Sequence, residues 1–269
     1  MKQEVASVLG VVIDLSGDSW DKVKCENEPM SPLLAIQSTC VFINAFCMLN
    51  RDNEVFVVAH FPDGTSQWLG KRNGGPSNKY FMEDMFHKLR QCVEIDGARS
   101  GLASALMKSL CILNQQSTEY KRLYDTTPEC RLLVVHATAD EPSHYVQCMN
   151  VAFAAQKHGV TIDVCDFSPD GSTILQQVSH LSGGLLQHLK EANSPSKFTE
   201  VLLCVFLANK NTRMMLKLPP AAPIILQAVC LCHGVLKDRG FVCSMCLSVL
   251  CREPVAVCPT CRTRKHVNL

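Results

Sequence analysis

SVLGVVID, residues 7–14, is the stretch on which the fold turns. It is a continuous apolar run closed by an aspartate. A strand exposed on one face would alternate apolar and polar residues. An unbroken run instead fits a strand buried on both faces, as in a parallel sheet covered by helices.

Reading outward, Ser31-Pro32 is a helix start, a capping hydroxyl followed by proline in the first turn. The helix is expected to run through LLAIQSTCVFINAFCMLN to about Asn50. EVFVVAHF (54–61) is a second strand, PDGT a turn, and GKRNGGPSN (70–78) a polar loop. FMEDMFHKLRQCV (81–93) and SGLASALMKSLCILNQQ (100–116) read as helices, and RLLVVHAT (131–138) as a third strand. SHYVQCMNVAFAAQKHG (143–159) is a helix stopped by Gly159. VTIDVCDF (160–167) is a fourth strand, STILQQVSHLSGG (172–184) a short helix, and SKFTEVLLCVFLAN (196–209) a last helix. This alternation predicts an α/β fold, a doubly wound, mainly parallel sheet, over residues 1–217. LPPAAP opens a Pro-rich linker, 218–228, and residues 229–269 form a small C-terminal zinc-binding module.

Composition narrows the functional classes. Hydrophobic residues make up 47% of the 269 and charged residues 19%, a globular balance that excludes wholesale disorder. The net charge of +1 is uneven: from Val229 onward six Lys/Arg face two Asp/Glu. That tail is mildly basic without a lysine or arginine block, so DNA contact through it is an auxiliary expectation. The N-terminus lacks a signal-peptide layout, and VLLCVFLA (201–208) falls far short of the roughly 20 residues that span a bilayer. A cytosolic or nuclear protein without membrane contact is expected. Of the sixteen cysteines, the nine before residue 230 are too scattered for a disulfide framework, and in a reducing compartment they read mostly as small buried hydrophobes.

The last seven cysteines behave differently. In VCSMCLSVLCREPVAVCPTC (242–261), Cys243 and Cys246 form one C-x2-C pair, and Cys258 and Cys261 a second. Each spacing sets two thiolates on one tight knuckle. Two such knuckles supply a closed tetrahedral Zn²⁺ site with no open position for substrate, so the metal shapes rather than reacts. Iron held by the same ligands is the redox alternative. Cys230, Cys232, His233 and Cys251 are candidate ligands of a second, interleaved zinc as in a RING-type module; the alternative is that they only flank the knuckles. His266 is read as solvated.

Asp14 ends the first strand and opens DLSGDS. The carboxyl end of a parallel strand near a topological switch is where α/β domains place ligand chemistry. D-x-S-x-S begins the Mg²⁺ site of von Willebrand factor A (vWA) domains, where a carboxylate and two hydroxyls hold the ion. Asp14 and Ser16 match, but Asp18 stands at the third position. Ser100 or a neighbour would replace the later threonine, and Asp140 the final acid. The incomplete set predicts a degenerate site used structurally. His136 reads as a satisfied core residue, and no catalytic nucleophile, P-loop or dinucleotide motif stands at a strand–helix junction.

CLCHGVLKDRGFVCSMCLSVLCREPVAVCPTC (230–261), VVIDLSGDSW (11–20), SGLASALMKSLCILN (100–114), RLLVVHAT and LSGG…LLQHL stand in the order of one family. With them the chain resembles the 34-kDa subunits of general transcription factor IIH (TFIIH), over nearly its whole length. That resemblance implies a vWA domain followed by a C4 zinc finger. It implies a nuclear, non-catalytic scaffold in the TFIIH core, acting in RNA polymerase II transcription initiation and nucleotide excision repair. Its chief partner would be the 44-kDa subunit, with no small-molecule substrate. The competing readings are a RING-type ubiquitin ligase, from C-P-T-C and C-x-C-H, and a zinc-dependent DNA-binding protein.

Overall fold

The computed structural model describes residues 6–20, 23, 31–61, 63–73, 83, 87, 101–141, 144–189, 195–219, 228–230, 233, 235–237, 239–245, 248–252, 257–259 and 261–264. Strand β1 (Ser7–Asp14) is buried at every position, as its composition requires. It is followed by a single helical turn, α1 (Gly17–Trp20), and by α2 (Pro32–Leu49). Ser31 caps α2 through its side chain, which accepts from the Leu34 N–H, and Pro32 takes the first turn. Strands β2 (Glu54–His60) and β3 (Ser66–Asn73), helix α3 (Leu102–Tyr124) and strand β4 (Glu129–His136) come next. The domain continues with α4 (Tyr145–His158), β5 (Thr161–Asp166), α5 (Thr173–Ser182), β6 (Leu186–His188) and α6 (Pro195–Val201). Helix α6 runs directly into a π-helical turn, Leu202–Phe206, before the short α7 (Lys210–Arg213).

The sheet order is β3-β2-β1-β4-β5-β6, with β3 antiparallel and the other strands parallel. The fold is therefore α/β with a mainly parallel, doubly wound sheet, and the order reverses around β1. One face of the sheet packs against α2, α6 and the π turn, with Phe42, Phe46, Phe198 and Phe206 in its core. The other packs against α3, α4 and α5 through residues such as Leu106, Leu113, Val151 and Leu175. Helix α2 is long and apolar enough to cross a membrane, yet half of it is buried inside the fold, the pattern of a core helix. Cys40, Cys47, Cys130, Cys148 and Cys165 are buried, as expected of small hydrophobes, whereas Cys111 and Cys204 are exposed. Burial pushes the Cys40 and Cys148 thiols up to about 12, which leaves them unreactive at neutral pH.

Several elements differ from expectation. Residues 70–73, read as loop, are the end of β3, the edge strand of the sheet. Arg72 of that strand is buried and donates to Asn44 on α2. Helix α3 runs on to Tyr124, because STEYKRLY continues as an exposed polar segment that the apolar pattern could not mark. β6 has three residues, too few for a periodic signal. The helix expected at 81–93 falls on residues of which only 83 and 87 are described. The C-terminal stops hold: Gly159 and Gly183 adopt φ of 67° and 73° after α4 and α5.

Beyond residue 227 the strands are short. β7 (Ala228–Cys230) pairs antiparallel with β8 (Val235–Lys237), and β9 (Phe241–Val242) with β10 (Val249–Leu250). A further antiparallel bridge joins Val257 to Arg264. Two- and three-residue hairpins are not stable alone in water. Something else must hold them.

Candidate metal centres

Each of these three hairpins ends in a knuckle. The β7–β8 turn carries Cys230 and His233, with the His233 N–H donating to the Cys230 carbonyl at 3.3 Å. The β9–β10 turn begins at Cys243, whose N–H donates to the Ser248 carbonyl at 3.0 Å. The third turn holds Cys258 and Cys261, closed by the Cys258 N–H on the Thr263 carbonyl at 3.0 Å. Arg262 supplies the left-handed residue of that turn, with φ 57°.

The knuckles converge in an interleaved way. Val242 pairs with Val249, and Leu250 with Phe241, so Cys243 sits at the closed end of its hairpin and Cys251 beyond the open end. The same hairpin therefore delivers ligands to two clusters. Cys230, His233 and Cys251 form one, with His233 Nδ1 3.8 Å from Cys230 Sγ and 3.2 Å from Cys251 Sγ. The Cys251 N–H also donates to Cys230 Sγ at 3.2 Å, which suits a sulfur carrying thiolate charge. Cys243, Cys258 and Cys261 form the other, with 3.8 Å between the Cys243 and Cys261 sulfurs. Within each cluster the ligand atoms lie within 4.8 Å of one another, close enough to share one ion. Cysteine clusters of this kind can hold a metal, and thiolate with imidazole is a donor set that zinc favours. Cys232, Cys246 and His266 lie outside the described residues.

At the carboxyl end of β1, Asp14 is fully buried and tied down on both oxygens. Oδ1 accepts from the Ser16 N–H at 2.9 Å. Oδ2 accepts from the Ala137 and Thr138 N–H groups at 3.1 and 2.8 Å, and from the Thr138 hydroxyl at 2.6 Å. Trp20, folded back by α1, donates from Nε1 to the Asp14 carbonyl at 2.8 Å. The aspartate thus clamps the ends of β1 and β4 together. Ser16 meets it through the backbone. Asp140 is employed elsewhere, accepting from the Ser172 and Thr173 hydroxyls and the Ile174 N–H at the start of α5. Ser100 lies outside the described residues, as does the side chain of Asp18.

The sequence reading missed His60. In the sheet register His60 of β2 stands beside Asp14, His136 of β4 beside Asp166 of β5, and Asp166 beside His188 of β6. Ile13 pairs with Val135, which brings His136 to the other side of Asp14. The carboxyl ends of five adjacent strands thus read His-Asp-His-Asp-His. His60 Nδ1 is 3.9 Å from Asp14 Oδ1, and His136 Nδ1 is 3.4 Å from Asp14 Oδ2. Neither contact is aligned as a hydrogen bond, and all four ring nitrogens are buried without one. His136 is a core residue, as expected, but not a satisfied one. Burial works to raise the Asp14 carboxyl, yet the two imidazoles and Thr138 outweigh it and hold it well below the usual range. Burial lowers His60 to about 4. It acts the same way on His136, but there the close polar contact with Asp14, and then its charge, prevail and the shift is upward.

A family model described as transcription factor Tfb4 matches residues 77–262. General transcription factor IIH subunit 3 of Dictyostelium discoideum is 31% identical, over 85% of this chain and 67% of its own length. General transcription and DNA repair factor IIH subunit tfb4 of Schizosaccharomyces pombe is 28% identical, over 98% of this chain and 91% of its own. Among solved structures, the TFIIH p34 N-terminal domain superposes with a TM-score of 0.65 at 19% identity, covering 76% of this chain and 99% of that one. The vWA domain of SpRpn10 superposes with a TM-score of 0.52 at 12% identity, over 73% and 94%. These last two likenesses establish a vWA-like fold.

Proposed function

Because this chain belongs to the transcription factor Tfb4 family, we propose that it is a non-catalytic structural subunit of the TFIIH core. It serves RNA polymerase II transcription initiation and nucleotide excision repair in the nucleus, and it binds the 44-kDa subunit as its chief partner. The observation that carries this reading is the family match, which runs from residue 77 through the last cysteine knuckle. Relatives from Schizosaccharomyces pombe, Dictyostelium discoideum and Arabidopsis thaliana are TFIIH subunits by name, and the first and third are named for DNA repair as well.

The architecture supports a scaffold. The vWA-like unit, residues 1–217, presents exposed apolar side chains that a solitary domain would not need. Leu33, Val41 and Met48 project from α2, and Met214 and Met215 follow α7 at 79% and 87% exposure. The linker at 218–228 joins it to the module at 229–269. There two structural Zn²⁺ ions supply the folding energy that the small hairpins lack. Cys243, Cys258 and Cys261, with Cys246 as the fourth ligand, hold one ion. Cys230, His233 and Cys251, with Cys232 completing the set, hold the other. The interleaving of these clusters also favours a second reading, a RING-type ligase, which would discharge ubiquitin from a charged conjugating enzyme where a scaffold would not.

Affinity purification of the tagged full chain from nuclear extract, with mass spectrometry of what accompanies it, tests the scaffold reading. TFIIH core subunits in near-stoichiometric amounts are the expected result. Recovery of the chain alone, or with an unrelated set of proteins, would refute it.

A further inference from the structure

The row of histidines and aspartates at the carboxyl edge of the sheet has no part in the cysteine clusters. We propose that Asp14, His60 and His136 hold a divalent transition metal of the zinc class at the ends of β1, β2 and β4. Three observations carry this.

The first is geometry: one ligand atom from each residue lies within 4.8 Å of the other two. The strand register holds them there, since the residues end three adjacent strands. Gly101 keeps the space beside His60 tight, because a Cβ on it would come within 2.6 Å of the Thr65 carbonyl and 3.2 Å of the His60 Cβ.

The second is the unmet demand of the imidazoles. Both rings are at most 1% exposed, and none of their four nitrogens makes a hydrogen bond. A buried donor left without a partner is expensive, and two rings in this condition side by side call for a shared ligand. Asp14 does not meet the demand. Three of its four accepted hydrogen bonds fall on Oδ2, and Oδ1, with a single one, lies 3.9 Å from His60 Nδ1.

The third is charge. Asp14 and Asp166 are both fully buried, on either side of His136 in the row. Two carboxylates in a dry interior are stabilised by nearby positive charge, and a divalent ion supplies more of it than a single imidazolium does. Two imidazoles and one carboxylate form a borderline nitrogen–oxygen set. That set suits zinc or a neighbouring transition metal, whereas magnesium takes oxygen ligands almost alone. The site is sealed from solvent, so the ion would brace the sheet edge and would not activate water.

Zinc counted by elemental analysis in the full chain and in a His60→Gln/His136→Gln variant tests the proposal. Both proteins are produced with zinc in the medium and checked for folding by circular dichroism. The folded variant is expected to lose one zinc per chain. Equal counts overturn the proposal. If the variant does not fold, cobalt(II) loaded into the unaltered chain gives the answer by proton NMR. Exchangeable imidazole signals shifted by the paramagnetic ion are expected from His60 and His136 as well as from His233. Shifted signals from His233 alone, or from no histidine, overturn it. The cysteine clusters report separately, through thiolate-to-cobalt absorption in the near ultraviolet, so failure there is a different result.

Discussion

Treating the full chain with a strong chelator is expected to unfold residues 228–264 while leaving the α/β unit folded. The hairpins there have two or three residues per strand, and in each cluster the candidate ligand atoms lie within 4.8 Å of one another. Structural zinc in such modules contributes about 10–16 kcal/mol of apparent binding free energy at neutral pH, far more than hairpins of this size supply themselves. Cys258→Ser is expected to have the same effect locally, since Cys258 is buried and belongs to the cluster spanning the second and third knuckles. Hydrogen exchange followed by mass spectrometry reads the outcome. Amides of the C-terminal strands lose protection, and those of β5 and α3 keep it. Unchanged protection in the chelated C-terminal strands would mean that the hairpins are held by something other than metal.

The second large effect concerns Asp163, which is fully buried on β5 between two arginines. Arg213 grips it with both Nη atoms, at 2.8 and 2.6 Å, and Arg131 reaches Oδ2 at 3.1 Å. The Leu185 N–H adds a fourth bond at 3.0 Å. Both guanidinium groups also touch the Phe206 carbonyl at the end of the π turn. Asp163 therefore joins β4, β5, the approach to β6 and the C-terminal segment of the domain. Asp163→Asn removes the anion and leaves Arg131, 2% exposed, without its counter-charge. Breaking one side of a buried ion pair costs about 3–5 kcal/mol, and chemical denaturation at neutral pH is expected to show a loss of that order.

The pH dependence follows with a definite sign. Burial is the largest influence on Asp163 and raises its pKa, but the bonds from Arg213 and the charges of both arginines together bring it below the ordinary 3.8. A carboxyl depressed in the folded state contributes its full stability above the unfolded value. It loses that contribution as pH falls through the folded value. The gap between the unaltered chain and Asp163→Asn is thus expected to be constant above about pH 5 and to narrow below about pH 4. A gap that widened in acid would contradict the assignment.

Much of this was legible in the sequence because it rests on local rules. β1, β2, β4 and β5 announce themselves as apolar runs, Ser31-Pro32 and Ser172 as helix starts, and Gly159 and Gly183 as helix ends. The elements that escaped are those whose reasons are not local. β3 is a strand because β2 offers it an antiparallel edge, not because SQWLGKRN has a strand pattern. The π turn at Leu202–Phe206 is invisible in an apolar stretch that serves an α-helix equally well. The C-x2-C spacing marked the candidate ligands. Which cysteine joins which cluster follows from hairpin register, which placed Cys251 with Cys230 and His233. His60 was passed over because its meaning depends on strands that are distant in sequence and adjacent in space. Asp14, His60 and His136 become a group only once β1 is known to lie between β2 and β4.

A scaffold works by being bound, and equilibrium binding of the purified, zinc-loaded full chain to the purified 44-kDa TFIIH subunit, measured by calorimetry, tests that role. A stoichiometric one-to-one complex is predicted, with the large negative heat-capacity change that burial of apolar surface brings. A folded, zinc-replete chain that shows no heat of binding at several temperatures, and elutes separately from the 44-kDa subunit on gel filtration, would contradict it.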